Sequence, residues 1–145
     1  MTDSKQNKLT VKKTLDIRFS EVDSMNVVWH GSYMLYFEDA REAFGEKYGL
    51  DYMTIFNNGC FAPLVDMQFH YRRPIKYGMH PVIEIEYVPT AAAKIVFNYR
   101  IYDPADGSVF ATGESVQVFM DTEYQLLWDN PPFYDEWKTA WHVEK

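Results

Sequence analysis

Apolar residues recur at spacings of three and four between Ser32 and Gly49, and at a spacing of two over most of the chain from Val65 to Met120. This change of period constrains the fold more than any other feature. The longer period fits one amphipathic helix, and the shorter one fits half-buried strands. In the helical stretch Tyr33, Phe37, Ala40, Phe44 and Tyr48 form the apolar stripe, widened by Tyr36 and Ala43. Glu38, Asp39, Arg41, Glu42, Glu46 and Lys47 occupy the polar side, with Glu38 and Arg41 spaced to pair. Ser32 suits the N-cap and Gly49 the stop.

Four strand-like runs follow: Val65–Tyr71 up to Pro74, Pro81–Val88, Lys94–Ile101 and Val109–Met120. The last is expected to bulge near Gly113, where its inward parity switches. Consecutive strands joined by short turns are expected to pair antiparallel. Upstream, Leu9 to Phe19 alternates with one break at Lys13 and reads as a further strand. Asp51 to Gly59 reads as a short second helix, and Asn130 to Trp141 as a terminal helix with Pro131 and Pro132 in its first turn. Residues 1–8 are expected to fray. The 145 residues read as one domain, large enough to bury a core without covalent staples. The layout is α+β: a sheet packed on one long helix.

The net charge of −7 argues against nonspecific nucleic-acid binding, which depends on basic residues displacing counterions. A local basic patch could still hold a small anion, and Arg72, Arg73, Lys76, Lys94 and Arg100 are the cations spread over the strands. The single cysteine, Cys60, forms no intrachain disulfide and fits a cytoplasmic setting. No apolar run approaches the length of a membrane span, and the N-terminus lacks the apolar core of a signal peptide. Aromatic residues make up 17% of the chain, more than one helix and one sheet need between them. A homo-oligomer that covers some of them is therefore expected.

The chemistry is expected between Phe19 and Phe44. Asp23 sits in a loop with Val22, Met25, Val27, Val28 and Trp29 around it. Apolar company would raise the pKa of a carboxylate and suit it to act as base or nucleophile, while a loop aspartate also serves as a turn-former. Asn26 suits a left-handed position in that loop. His30 precedes the helix and reads either as a site residue or as a surface histidine. Backbone N–H groups from His30 through Gly31 and Ser32 to Tyr33 form the positive end of the helix and could stabilise an oxyanion. The four histidines and one cysteine show no metal-ligand spacing, so no metal is expected.

Asp23-Ser-Met-Asn-Val-Val-Trp-His-Gly-Ser-Tyr33, then Tyr36-Phe-Glu-Asp-Ala-Arg41 and Tyr71-Arg-Arg-Pro-Ile-Lys-Tyr-Gly78, resemble the hotdog-fold acyl-CoA thioesterases of the 4-hydroxybenzoyl-CoA thioesterase type. The resemblance runs from about Thr10 to Asp121 and leaves out residues 130–145. It implies an antiparallel five- or six-stranded sheet wrapped around one long central helix, dimers joined edge to edge and often paired into tetramers, and sites at the dimer interface. It implies that Asp23 is the catalytic carboxylate, that the backbone N–H of His30 polarises the thioester carbonyl, and that the His30 side chain takes part. Lys94 is the implied contact for the CoA phosphates, and Trp29 is a further candidate substrate contact. Asn26 stands where relatives usually carry Gly, and Ser32 where they carry Asn.

The expectation is an acyl-CoA thioester hydrolase with no cofactor beyond the CoA of its substrate. Its rivals are an acyl-carrier-protein thioesterase, a dehydratase pairing His30 with Glu38, and a non-catalytic acyl-binding module.

Overall fold

The computed structural model describes residues 7–144. Ten elements carry the architecture: β1 (Thr10–Thr14), α1 (Tyr33–Tyr48), α2 (Tyr52–Asn57), β2 (Cys60–Phe61), β3 (Leu64–Tyr71), β4 (Val82–Val88), β5 (Lys94–Tyr102), β6 (Val109–Val118), β7 (Met120–Asp121) and α3 (Pro132–Trp141). Short 3-10 turns occupy Phe19–Glu21 and His30–Ser32. β1, β4, β5, β6 and β3 form one antiparallel sheet in that order, and β2 and β7 form a separate ribbon. This is the hotdog arrangement, with the sheet around a long helix.

The expected strand order fails at one step. β4, β5 and β6 pair as consecutive neighbours, but β3 pairs with β6 and not with β4. The connection after β3 therefore crosses three strand spacings, roughly 14 Å, along one end of the sheet. On the way Ile75 accepts a hydrogen bond from Val28 N–H at 2.7 Å, and Lys76 bridges Val27. Contact with the Asp23 loop draws this segment away from a hairpin.

β1 is shorter than the alternation predicts. The chain leaves β4 after Thr14, where Leu15 N–H turns to Pro81 C=O at 2.8 Å. Leu15 and Ile17 still enter the core, but Phe19 is 78% exposed. The expected fraying at residues 1–8 lies outside the described residues up to residue 6. Asn7 is tied down, its N–H donating to His142 C=O and its Nδ2 to Trp141 C=O.

α1 buries Tyr33, Tyr36, Phe37, Ala40 and Phe44, following the periodic stripe. It stops at Gly49, whose φ of 76° is the left-handed conformation a residue without Cβ adopts freely. Ser32 does not cap it. The helix continues a 3-10 turn begun by Trp29, and Ser32 Oγ donates instead to Glu21 C=O at 3.4 Å. Glu38 and Arg41 form no ion pair among the described residues; Arg41 Nη1 donates to the buried Tyr99 hydroxyl at 3.4 Å. At the start of α2 Asp51 is the cap, accepting from the Thr54 amide and hydroxyl.

The helix rests on the face built from Ile83, Ile85, Tyr87, Ile95, Phe97, Tyr99 and Ile101, all buried. Phe37 stacks on Tyr99 with centroids 4.3 Å apart, and Phe44 meets Phe97 edge-on at 4.8 Å. α3 closes the far end of the core. Trp137 Nε1 donates to Tyr48 C=O at 2.7 Å, and the buried Tyr134 and Tyr87 hydroxyls meet at 2.5 Å. No helix among the described residues is long and apolar enough to cross a membrane.

The bulge does not fall at Gly113, which pairs regularly with both Phe69 and Tyr99. Register shifts lie instead between Leu64 and Asp66 and between Ile101 and Tyr102. Gly113 has a different cause. A Cβ there would collide with the Phe37 ring and stand 2.7 Å from Gln68 C=O. Gly113→Ala is expected to lower stability by about 1–3 kcal/mol through overpacking, read as a lower midpoint in urea denaturation.

Candidate active site

The stretch from Glu21 to Trp29 folds as a miniature hairpin. Val22 bridges Val28, Asp23 N–H donates to Val27 C=O at 2.9 Å, and Asn26 N–H donates to Asp23 C=O at 3.0 Å. Asn26 has φ 61°, the left-handed turn position expected of it. Asp23 Oδ1 accepts from Met25 N–H at 2.9 Å and Val27 N–H at 3.3 Å, so one carboxylate oxygen holds the turn. Oδ2 has no hydrogen-bond partner among the described residues. The desolvation expected from the apolar neighbours is missing in the single chain: Asp23 is exposed, and Met25 points outward at 74% exposure.

Glu21, which the sequence reading passed over, anchors this hairpin. Its carbonyl accepts from Trp29 N–H at 2.8 Å and from Ser32 Oγ, while its Oε1 accepts from Arg18 N–H and from Tyr36 OH at 2.9 Å. Burial and this carboxylate hold the Tyr36 hydroxyl protonated far above its ordinary range. Only the Ser/Glu polarity around residue 20 hinted at such a clamp, and its partners lie up to 15 residues away.

The 3-10 turn decides which amides remain available. Ser32 N–H donates to Trp29 C=O at 2.9 Å, and Tyr33 N–H donates to His30 C=O. Those two of the four expected oxyanion donors are consumed within the turn. The N–H groups of His30 and Gly31 have no partner among the described residues, as the first positions of a 3-10 turn require. The Trp29 ring lies against the Gly31 backbone, where any Cβ would strike it, and sits 4.9 Å from the His30 ring. The His30 imidazole is exposed and makes no hydrogen bond among the described residues.

A pocket of about 370 Å³ is lined by Asp23, Val27, Trp29, His30, Tyr33 and Tyr71, together with Arg72 and Arg73. Arg73 is engaged, its guanidinium meeting Ser108 Oγ and lying over Phe110 at 4.5 Å. Arg72 has no side-chain partner among the described residues. Burial, and secondarily the neighbouring Tyr71, push the Tyr33 hydroxyl up to about 12, so it stays neutral near pH 7.

Two sequence-predicted residues lie elsewhere. Lys94 opens β5 opposite Val118, whereas Tyr71 is level with Ile101 through Ala111, roughly 23 Å away along the sheet. Glu38 lines a larger cleft of about 820 Å³ between α1, α2, the Phe61–Pro63 link and the sheet residues Ile95, Phe97 and Gln117, which shares no residue with the Asp23 pocket. Size does not select between the cavities. The smaller one brings a carboxylate with a free oxygen together with His30, whose amide is unpaired, and the larger has an acidic rim over an apolar floor. No group of three or more His, Cys, Asp or Glu able to hold a metal occurs among the described residues.

With this geometry in view, the comparisons are direct. The sequence pattern of the thioesterase-like superfamily matches residues 17–138. The chain belongs to that superfamily. The match extends through most of α3. The Bacillus subtilis protein named "Putative acyl-CoA thioesterase YneP" is 28% identical over 134 residues, covering 92% of this chain and 96% of its own length. The crystal structure of the hypothetical protein TT1821 from Thermus thermophilus superposes with a TM-score of 0.74 at 25% identity, covering 90% of this chain and 96% of that one. The DHNA-CoA thioesterase of Staphylococcus aureus shares the fold, with a TM-score of 0.75 at 21% identity and coverage of 90% and 89%.

Glu21→Ala strands the Tyr36 hydroxyl and releases Arg18 N–H. It is expected to cost about 1–3 kcal/mol in chemical denaturation, with α1 retained by circular dichroism.

Proposed function

We propose that the chain hydrolyses acyl-CoA thioesters to the free acid and CoA, with Asp23 as the reacting carboxylate and the His30 and Gly31 amides as the oxyanion site. The observation that carries this reading is the meeting, in one pocket, of Asp23, whose Oδ2 has no partner, and His30, whose N–H, like that of the adjoining Gly31, has no acceptor among the described residues. Membership of the thioesterase-like superfamily supports it.

The thioester carbonyl oxygen approaches the His30 and Gly31 N–H groups, which favour the negative charge that develops as the carbon becomes tetrahedral. Asp23 acts through Oδ2. As general base it takes a proton from the attacking water; as nucleophile it attacks the same carbon to give an anhydride that water then opens. Collapse expels the CoA thiolate in either case. A thioester is already activated, so one carboxylate and one oxyanion site suffice without a metal or further cofactor. Because Oδ1 is engaged by the turn, the carboxylate is held in one orientation, which lowers the cost of aligning it.

The reading includes a homo-oligomer, a dimer or a tetramer of such dimers. β3 is an edge strand and bears Val65 and Tyr71, each at least half exposed. A second copy along this edge would cover them and wall the pocket beside Tyr71, supplying the desolvation that Asp23 lacks in one chain. A cytoplasmic location goes with the single thiol, Cys60, which is buried and free. The dehydratase alternative loses its support because Glu38 lines the other cleft.

Asp23→Asn is expected to lower kcat on an acyl-CoA substrate by about 100-fold or more while the fold and oligomeric state persist. A substrate panel of short, medium, long and aromatic acyl-CoAs, followed by thiol release, measures this. Near-native turnover by the substituted protein would overturn the assignment of Asp23.

A further inference from the structure

The two free amides belong to peptide groups whose opposite edges are carbonyls. Gly31 N–H shares its peptide with His30 C=O. That carbonyl accepts Tyr33 N–H inside the 3-10 turn and, from outside it, the Tyr71 hydroxyl at 3.3 Å. A trans peptide is planar, so fixing the carbonyl fixes the direction of the N–H on the other side.

The lock matters here because residue 31 is glycine. A peptide that leads into glycine meets little steric resistance to rotation, since glycine occupies both halves of φ space. A Cβ at residue 31 would overlap the Trp29 ring where it now lies. Rotational freedom therefore comes with the fit, and something beyond the turn has to remove it.

Tyr71 is built for that task. It ends β3, paired with Ala111, so the sheet sets its backbone. Its ring meets Tyr33 edge-on at 4.8 Å and stacks along Phe69 at 6.1 Å. Partial burial raises its pKa, which keeps the hydroxyl a donor at neutral pH. Donation into a carbonyl also polarises the amide, making its N–H the better donor as charge develops on a bound oxyanion.

We propose that Tyr71 is a positioning residue for the hydrolysis: through His30 C=O it orients and polarises the Gly31 N–H that receives the oxyanion. This rests on the reading given under Proposed function. Tyr71 touches no reacting atom in this role, so its effect falls on the transition state more than on ground-state binding.

The test compares the wild type with Tyr71→Phe, which keeps the ring and its contacts and removes only the hydroxyl. On an acyl-CoA that the wild type hydrolyses, kcat is expected to fall about tenfold, less than the loss from deleting an oxyanion donor outright, with KM held within about twofold. The thermal midpoint should stay close to the wild-type value. Tyr71→Leu, which loses the ring contacts as well, should show the same kcat defect together with a lower midpoint. An unchanged kcat in Tyr71→Phe overturns the inference. So does a rise in KM at constant kcat, which would mark a substrate contact, and so does a kcat loss that only accompanies unfolding. If the wild type hydrolyses no acyl-CoA in the panel, the functional reading fails first, and that result is distinct from all of these.

Discussion

The far edge of the Phe37 ring can reach the sheet at Gly113 only because Gly113 has no side chain. That absence sets the distance between α1 and β6, and with it the height of everything at the helix N-terminus. The ring fills the vacated space by stacking on Tyr99 and leaning on Phe69, one residue from each strand flanking β6. Lifting α1 by the width of a methyl group would carry the 3-10 turn away from Tyr71 and pull Tyr36 off Glu21. The pocket thus depends on a packing contact at the middle of the helix, where no proposed catalytic group resides.

The site is assembled by three separate tethers that converge on one turn. Glu21 holds its entry through a carbonyl and a carboxylate, and Ile75 and Lys76 hold the loop from below through the backbone. Tyr71 reaches it from the edge of the sheet. Each tether comes from a different element, so the turn inherits the rigidity of the sheet without belonging to it. A loop that would otherwise be mobile becomes a fixed platform.

Much of this was legible in the residues because it is local. The stripe of α1, its stop at Gly49, the short helix that starts at Asp51 and the left-handed Asn26 each follow from neighbours within four positions. The family motif from Asp23 to Tyr33 likewise drew attention to the turn that carries the pocket. What stayed hidden is non-local. No pattern within β3 says that its partner is β6, because that choice is made by the docking of residues 75–76 on a loop some fifty positions earlier. Gly113 mimicked a bulge signal, since a missing side chain breaks alternation whether the cause is an extra residue or an approaching ring. Ser32 looked like a cap because a preceding 3-10 turn leaves no trace in side-chain chemistry. Glu21 also reaches Tyr36, 15 positions away, and Tyr71 reaches His30, 41 positions away; the local motifs around them do not name these partners.

Two of the three groups proposed to act on the thioester are main-chain amides, which among the encoded residues only proline can delete, and proline also fixes φ. Every other substitution acts on them through geometry, and here geometry is shared between the indole of Trp29 and the bare Cα of Gly31. The two positions therefore behave as one unit of variation. A bulkier residue at 31 demands a smaller ring at 29, and an alanine scan across the turn would report on shape alone. Amide-to-ester exchange at a single bond is the perturbation that would address the donors themselves.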